Sequence, residues 1–253
     1  MEYVYNYNSL PFFSEKDLIA KDYLVNTIAL EVKNILKKQN RAWDFVRLEA
    51  PNLIPRELVN KNYTNEDLYV QESFNGSAEL VLKPETTPAT YAYMIEHLTH
   101  TNILPPVCFW QVSKSFRREQ DQTTKNCRFK EFYQQEFQCL YTKDTKNNYQ
   151  ENVIEDLAKM FMDILGLPIR IVLSDRLPEY SLKTIDIEVY NSDKWMEVCS
   201  VSLRNDFPIN PKIKNKETEC YVLEIATGID RLIYNMNQRD KVFSELRVIN
   251  ELK

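Results

Sequence analysis

The chain has 253 residues, of which 43% are hydrophobic and 12% aromatic, and its formal net charge is −5. This composition can form a sizeable core and excludes a disordered chain, while the acidic balance disfavours a broad nucleic-acid-binding face, because such faces are usually basic. No apolar run approaches the roughly 20 residues that cross a bilayer, and the amino-terminal segment lacks a signal-peptide pattern, so we expect a cytoplasmic protein without a membrane partner.

The predicted elements begin with a long amphipathic helix at residues 14–38, which Ser14 can cap. The segment at residues 43–51 alternates apolar and polar side chains as a strand does, and it ends at a proline. A short strand at residues 80–82 leads into a helix at about residues 89–99. The first part of the chain therefore mixes helices with strands.

Strands dominate the second part of the chain. Two long strand-like runs, residues 108–115 and 129–140, flank a polar stretch and predict an antiparallel hairpin with a long loop. Helices are predicted at residues 152–165 and at about 230–237. Further strands are predicted at residues 169–173, 185–189, 195–201 and 219–225. We therefore predict an α+β fold, a mainly antiparallel β-sheet flanked by helices, in one domain covering residues 1–253.

Cysteine and glycine content exclude several kinds of site. The five cysteines are scattered and form no CxxC pair, which favours reduced thiols over a zinc site or a disulfide framework. The chain has only three glycines, Gly76, Gly166 and Gly228. A P-loop and a dinucleotide-binding fingerprint each need several glycines within a few residues. A nucleotide would therefore have to be held by side chains.

The predicted hairpin carries the strongest functional pattern, in the segment SFRREQDQTTKNCRFKEFYQQEFQ. Arg117 and Arg128 lie at the inner ends of its two strands, with Glu119 and Glu136 nearby. One interpretation is a polyphosphate cleft, because guanidinium groups match phosphate oxygens. The other is a solvated hairpin held by surface salt bridges, which the charge pattern taken alone favours.

The same segment resembles motif 2 of class II aminoacyl-tRNA synthetases, which reads FRxE, a polar loop and then RxxxFxxxE. The dimeric glycyl enzymes are most similar, since their second strand reads like REFTQAE and this chain has KEFYQQE. The resemblance implies that Arg117 binds the ATP α-phosphate and the substrate carboxylate, and that Arg128 reaches the outer phosphates. It also implies that Glu119 accepts from the adenine amino group, Phe132 stacks on adenine, and Glu136 faces the ammonium of the amino acid.

Three more segments follow the order of the same family. The strand at residues 43–51 resembles motif 1, which builds the dimer interface in the family and implies a homodimer. LKPETT resembles the LRPET segment of glycyl enzymes and implies that Glu85 lies beside the substrate amine. EIATGIDR resembles motif 3, which implies that Arg231 binds the γ-phosphate and Glu224 contacts the amine. By this resemblance the motifs span about residues 43–51, 112–138 and 221–237.

The segment WMEVCSVSLRNDF resembles both the glycyl pattern, WxE followed by an arginine, and the seryl pattern EVxS. The resemblance implies that Glu197 and Ser200 hold the Mg²⁺ that bridges ATP phosphates, since that ion prefers oxygen ligands. It also implies that Arg204 points into the active site and contributes to amino-acid binding.

The resemblance implies an ATP-dependent ligase with a role in protein biosynthesis, in which Arg117 and Arg231 assist formation of an aminoacyl adenylate. Three carboxylates, Glu85, Glu136 and Glu224, match those that surround the ammonium of glycine in glycyl enzymes. Crowding them around a small cation favours a glycine-sized substrate. Departures such as Ala226, where those enzymes have serine, leave alanine, serine and proline open.

The acceptor of the amino acid stays open. The sequence ends soon after Arg231, so we expect no anticodon-binding domain. The acceptor could be the end of a tRNA or the phosphopantetheine of a carrier protein. Two further alternatives are a non-catalytic paralogue that acts as a binding or regulatory subunit and a piece of a longer enzyme. The retained motif arginines favour catalysis.

Overall fold

A computed structural model describes most of the chain. The described residues are 4–7, 10–71, 79–101, 103–118, 127–143, 148–175, 179–191, 194–209, 212–213 and 216–251. The predicted adenine-binding residue Glu119 lies outside these ranges, as does Gly76. Within the described residues, no helix is both long and apolar enough to cross a bilayer.

The described chain contains fourteen strands and four α-helices. In chain order they are β1 (Val4–Tyr7), β2 (Leu10–Phe13), α1 (Glu15–Gln39), β3 (Asp44–Arg47), β4 (Leu53–Pro55), a 3-10 turn (Arg56–Leu58), β5 (Val70–Gln71), β6 (Leu80–Leu82), α2 (Thr87–His100), β7 (Val107–Phe116), β8 (Glu131–Thr142), α3 (Tyr149–Leu165), β9 (Ile169–Leu173), β10 (Ser181–Asn191), β11 (Lys194–Arg204), β12 (Lys212–Ile213), β13 (Lys216–Glu217), β14 (Cys220–Gly228) and α4 (Ile229–Glu251).

A seven-stranded sheet in the order β3-β7-β8-β14-β11-β10-β9 forms the centre of the fold. Its neighbouring strands are antiparallel except for β3 and β7, which run parallel. A smaller antiparallel sheet, β4-β6-β5, carries the chain from β3 toward α2. The predicted α+β fold with a mainly antiparallel sheet is confirmed.

Helices α1, α3 and α4 cover one face of the sheet. On α1, Leu24, Ile28, Val32 and Leu36 are fully buried at a spacing of four residues, which gives the helix a continuous apolar stripe. Ser14 caps this helix in a reciprocal box with Asp17, whose backbone N–H donates to Ser14 Oγ at 3.3 Å. The stripe, the other two helices and the inner side chains of the sheet form one apolar core.

The opposite face of the sheet is divided into an apolar end and a polar middle. At the apolar end, Phe109, Leu140 and Val222 pack with α2 in a second core. Because side chains alternate along a strand, the next residues on this face are Gln138 and Glu136 on β8 and Glu224 and Ala226 on β14. Three of these four side chains are polar, and Gln138, Glu136 and Glu224 are all buried. The functional residues are therefore built on the sheet itself.

Some element boundaries differ from the sequence expectation. The strand predicted at residues 43–51 pairs only over Asp44–Arg47, because the chain then turns away and Ala50 N donates to the Gln111 side chain at 3.2 Å. The last helix extends to Glu251, far past the predicted end at residue 237. All five cysteines are buried free thiols. The single-domain organisation stays a prediction.

Candidate functional site

A cavity of about 280 Å³ opens on the polar middle of the sheet. Most of the side chains that the motifs singled out line it. They are Glu85, Arg117, Arg128, Phe132, Glu136, Glu197, Ser200, Glu224 and Arg231. Arg204 lies behind the cavity wall, where it bonds to Glu224. Segments far apart in sequence are thus brought to one place.

Strand geometry explains this convergence on β8 and β14. Phe132, Gln134 and Glu136 are two residues apart on β8, so they share the cavity face. In the ladder between β8 and β14, Glu136 faces Ala226 and Glu224 faces Gln138. Two of the three predicted amine-binding carboxylates are therefore diagonal neighbours on adjacent strands.

A bulge in β11 brings Glu197 and Ser200 to the same face. Residues three apart on a regular strand point to opposite faces. Here Cys199 pairs with Ile187 while Glu197 pairs with Glu188, so β11 has one extra residue, Val198, at this point. Val198 and Cys199 both point into the apolar core, and Glu197 and Ser200 both line the cavity.

A buried hydrogen-bond network joins Glu136 and Glu224. The hydroxyl of Thr86 donates to Glu136 Oε2. The hydroxyl of Thr87 lies 3.1 Å from Glu136 Oε2 and 3.0 Å from Glu224 Oε2, and its single hydrogen can serve only one of them at a time. Gln138 Nε2 donates to Glu224 Oε2 at 2.9 Å. The LKPETT segment thus supplies threonine hydroxyls as well as Glu85.

Burial raises the pKa of two of the carboxyl groups. For Glu136, burial and the neighbouring charge of Glu224 raise the pKa to about 7. For Glu85, burial raises the pKa, the charge of Arg204 opposes the rise, and the charge of Glu224 adds to it. Carboxylates grouped in this way repel one another, so a small cation bound among them would be stabilised.

Arg204 neutralises part of this negative charge from outside the cavity. Its guanidinium donates to Glu224 Oε2 at 2.5 Å and to the two carboxylate oxygens of Asp206 at 3.0 and 2.7 Å. Although burial opposes it, the charges of Glu224 and Asp206 raise the pKa of Arg204. The hydroxyl of Tyr91 donates to Asp206 at 3.2 Å, which completes the network. Arg204 therefore holds Glu224 in place.

Arg117 lies at the other end of the cavity. Its Nε donates to Pro84 O at 2.9 Å, and its guanidinium carbon is 5.2 Å from the centroid of the Phe132 ring. The arginine is thereby held between the LKPETT segment and the predicted adenine-stacking ring. Arg128 is exposed at the cavity mouth.

Arg231 connects the start of α4 with β11. Its Nη1 donates to Glu197 O at 2.9 Å and lies 3.5 Å from Glu197 Oε1. Next to it, Asp230 Oδ2 accepts from Tyr133 N at 2.6 Å, which ties motif 3 to motif 2. Burial raises the pKa of Asp230 to about 7. A smaller cavity of about 150 Å³ adjoins this position, and Lys194, Arg128 and Arg231 are among its lining residues.

Several residues of the site were not identified from the sequence. Lys83 is fully buried and donates to Ala50 O, Pro51 O and Ser113 Oγ at 3.1, 3.1 and 2.6 Å, so it connects the end of motif 1 with β7. Burial lowers its pKa to about 8. A lysine that directly follows an apolar strand in LKPETT was the available signal.

The cavity also contains residues that the motifs did not point to. Asp186 lines it from β10, directly opposite Ser200 in the ladder, and the alternating segment IDIEV was its only sequence signal. Tyr63 and Tyr180 line it from segments outside the motifs. Nothing in the sequence around these tyrosines indicates a site.

The oxygen donors near Glu197 fit a magnesium ion that is also held by phosphates. Within the described residues, no three His, Cys, Asp or Glu side chains are grouped as a metal site. Glu197, Ser200 and Asp186 nonetheless present carboxylate and hydroxyl oxygens to the cavity. Magnesium sites that hold a nucleotide typically use one or two carboxylates and complete the shell with phosphates and water.

Comparison with known proteins gives a consistent result. Residues 69–238 match the family model described as tRNA synthetase class II core domain (G, H, P, S and T). The glycine–tRNA ligase of Mycoplasma capricolum is 26% identical over 218 residues, covering 79% of this chain and 45% of that protein. The glycine–tRNA ligase of Mycoplasmopsis synoviae is 25% identical over 184 residues, covering 64% of this chain and 41% of that protein.

Solved structures show the same fold. A prolyl-tRNA synthetase from Cryptosporidium parvum, in complex with halofuginone and AMPPNP, superposes with a TM-score of 0.74 at 12% identity, covering 93% of this chain and 49% of that one. At this identity the likeness concerns the fold alone. The chain spans less than half the length of each of these relatives.

Proposed function

Because the chain belongs to the family of class II tRNA synthetase core domains, we propose that it uses ATP to activate a small amino acid, with glycine as the favoured substrate. The product would be an aminoacyl adenylate, from which the amino acid passes to an acceptor. The observation that carries this proposal is the cavity itself, which joins a cluster of three carboxylates to three arginines that could bind phosphates.

The carboxylate cluster supports an ammonium-binding subsite. Glu85, Glu136 and Glu224 present three acceptor groups around one end of the cavity, and Arg204 neutralises only part of their charge. An α-ammonium group has three N–H donors and one positive charge, so it matches this arrangement. Every amino acid has such a group, and the three carboxylates leave little room for a side chain beside it. This crowding is why glycine is favoured.

The arginines support the phosphate-binding end. Phe132 would stack on adenine, Arg117 would bind the α-phosphate together with the substrate carboxylate, and Arg231 and Arg128 would bind the outer phosphates. The position of Arg231 at the start of α4 adds the positive end of the helix dipole. With Lys194 nearby, the adjoining cavity carries enough positive charge for the outer phosphates.

The reaction needs charge neutralisation and alignment rather than a general base. A carboxylate oxygen of the amino acid attacks the α-phosphorus and forms a new O–P bond, while the bond from that phosphorus to the bridging oxygen breaks and pyrophosphate leaves. The nucleophile is already ionised, so no proton has to be removed. Arg117 would orient both anions in line and stabilise the charge that develops on the α-phosphate.

We further propose Mg²⁺ as the metal of this site. Glu197 and Ser200 would hold it, and Asp186 is a third oxygen donor within the same cavity. When bound, the ion would neutralise the phosphates as a Lewis acid. Arg231, which pairs with Glu197, would bind the same phosphates through its guanidinium.

The acceptor and the assembly also belong to this proposal. The relatives in the comparison are tRNA ligases, which favours the acceptor end of a tRNA over a carrier protein. A homodimer is supported by exposed apolar side chains along α1, where Ile19, Tyr23 and Leu30 are 65%, 53% and 59% exposed. Apolar side chains that are grouped on one exposed helix face are typical of an interface.

ATP–pyrophosphate exchange with glycine, alanine, serine and proline tests the proposed activity. We expect exchange with glycine, and a loss of about 100-fold or more in Arg117→Ala, because removal of one transition-state donor typically has an effect of this size. Arg118→Ala is the matched control, since Arg118 is the exposed neighbour whose Nη1 donates to Asn65 O at 3.3 Å. Its exchange rate should stay within about threefold of wild type, in line with a surface position.

The outcomes separate the alternatives. Exchange followed by charging of tRNA supports the ligase reaction. Exchange without tRNA charging points to a carrier protein or another acceptor. Absence of exchange with every amino acid contradicts the proposal and supports a binding or regulatory subunit. Near-normal exchange in Arg117→Ala contradicts the assignment of this arginine.

A further inference from the structure

Two tyrosines from distant parts of the chain meet at Glu85. Tyr63 lies in the loop between the 3-10 turn and β5, and Tyr180 lies directly before β10. Both are half-buried and line the cavity. Neither belongs to the segments that hold the phosphate-binding arginines, so they are additions to the cavity whose role requires an explanation.

Tyr63 lies between the two proposed anchors of the amino acid, Glu85 for the ammonium group and Arg117 for the carboxylate group. Its hydroxyl donates to Glu85 Oε2 at 3.2 Å, and its ring centroid lies 5.9 Å from the guanidinium carbon of Arg117. The backbone of this residue is fixed, because Tyr63 N donates to Asn60 O at 3.1 Å and Tyr63 O accepts from Arg56 Nη2 at 2.7 Å. The ring is therefore a rigid wall rather than a loose loop side chain.

Tyr180 closes a second side of the same subsite. The guanidinium carbon of Arg204 lies 3.9 Å from the centroid of its ring, which is a close cation–π contact. Arg204 is itself held by Glu224 and Asp206, so the Tyr180 ring rests on a fixed base. Tyr180 lines the same cavity as Glu85 and Glu224, so its ring lies on the side of the carboxylate cluster.

The two rings remain neutral at physiological pH. Burial and then the charge of Glu85 raise the pKa of Tyr63 well above its ordinary value. Burial and then the charges of Glu85 and Glu224 raise the pKa of Tyr180 as well. Both side chains therefore offer a neutral hydroxyl and an uncharged ring surface to whatever lies between the carboxylates and Arg117.

Selectivity among amino acids needs such a wall. The carboxylates and Arg117 bind the ammonium and carboxylate groups, which all amino acids share, so these polar contacts are the same for every substrate. The Cα atom must lie between these two anchors. Tyr63 touches both anchors, and Tyr180 borders the ammonium end, so their rings flank the position from which a substrate side chain would project.

We propose that Tyr63 and Tyr180 are the specificity-determining residues of the amino-acid subsite, and that their rings exclude substrates with a side chain larger than the hydrogen of glycine. This inference rests on the proposed function. It goes beyond that function because it assigns a size limit to two aromatic rings outside the motifs, in addition to the crowding by the carboxylates.

The test is the ratio of kcat/KM for alanine to that for glycine in ATP–pyrophosphate exchange. We expect this ratio to rise by about 10- to 100-fold in Tyr180→Ala and in Tyr63→Ala, because space for one methyl group changes discrimination by that amount. Tyr63→Phe should keep the wild-type ratio, since it retains the ring, although loss of the bond to Glu85 would raise the KM for glycine. Tyr93→Ala is the control for removal of a tyrosine that lines neither cavity, at a 40% exposed position of α2.

The outcomes distinguish this inference from the proposed function. If wild type activates glycine while both alanine variants keep the ratio within twofold, the tyrosine assignment is overturned and the proposed function stands. If wild type activates no amino acid, the proposed function is overturned and the inference falls with it. Thermal unfolding checks that each variant is folded. Should an alanine variant not fold, the leucine variant at the same position provides the test, with a smaller increase expected.

Discussion

Replacement of Arg204 by glutamine removes the cation at the centre of a buried network. The Arg204 side chain is 3% exposed, and its ion-pair partners are Glu224 and Asp206, at N–O distances of 2.5 and 2.7 Å. Glutamine can keep one of these hydrogen bonds at most, and it supplies no charge. The variant is therefore left with two neighbouring carboxylates whose charges are no longer compensated.

The expected loss of stability follows from this geometry. Removal of one partner from a buried ion pair destabilises a protein by about 3–5 kcal/mol, because the remaining charge stays desolvated. For a domain of this size, each kcal/mol lowers Tm by roughly 2–4 °C, so we expect a decrease of roughly 6–20 °C. Since Glu224 is one of the proposed amine-binding groups, the KM for glycine should rise as well.

Thermal and urea unfolding at pH 7 provide the assay, and both should show the lower stability of Arg204→Gln relative to wild type. Arg170→Gln is the matched control, since the ion pair of Arg170 with Glu188 also spans 2.6 Å but its side chain is 45% exposed. Such a pair contributes at most about 1 kcal/mol. Equal losses in the two variants, or a loss below about 1 kcal/mol in Arg204→Gln, would refute the reasoning.

Three further predictions concern titration and metal binding. The KM for glycine should fall as pH rises through about 7, where Glu136 loses its proton, and this dependence should disappear in Glu136→Gln. Burial raises the pKa of Asp230 to about 7, so its contribution to stability is present at acidic pH and is lost as pH rises toward 7. Between pH 4.5 and 7.5 the free energy of unfolding in urea should therefore decline less with pH in Asp230→Asn than in wild type. An equal decline in the two proteins would contradict this. Chelation with EDTA should abolish ATP–pyrophosphate exchange. Glu197→Gln should raise the Mg²⁺ concentration for half-maximal exchange about tenfold or more. Equal Mg²⁺ concentrations for wild type and variant would count against Glu197 as a ligand.

Local sequence signals were sufficient for the long helices and strands. The spacing of four between Leu24, Ile28 and Val32 predicts α1, and Ser14 with Asp17 predicts where it begins. Alternation predicts the central strands, and turn-length connections predict their antiparallel pairing. The small hairpin of β1 and β2 was missed, because its strands have four residues each and LPFF contains a proline and no alternation of apolar and polar residues.

Only the residues of the site that lie within the motifs could be predicted from the sequence. Arg117, Glu136 and Arg231 follow from segments that resemble known motifs, and the structure brings them to one cavity. Tyr63 and Lys83 depend on contacts between segments that are distant in the chain, and no periodicity reports such contacts. The threonine hydroxyls between Glu136 and Glu224 were missed for the same reason, since their role depends on how α2 docks on the sheet.

The bulge in β11 also determines where this strand can change length during evolution. Elsewhere in β11, deletion of one residue would shift the following side chains to the opposite face and send cavity residues into the apolar core. At Val198 the extra residue is already unpaired with β10, so its deletion would leave Glu197 and Ser200 on one face, still opposite Glu188 and Asp186 of β10. Relatives with a one-residue gap at this position can therefore preserve the same site. An alignment that moves the gap elsewhere in the strand would match cavity residues of one protein with core residues of the other.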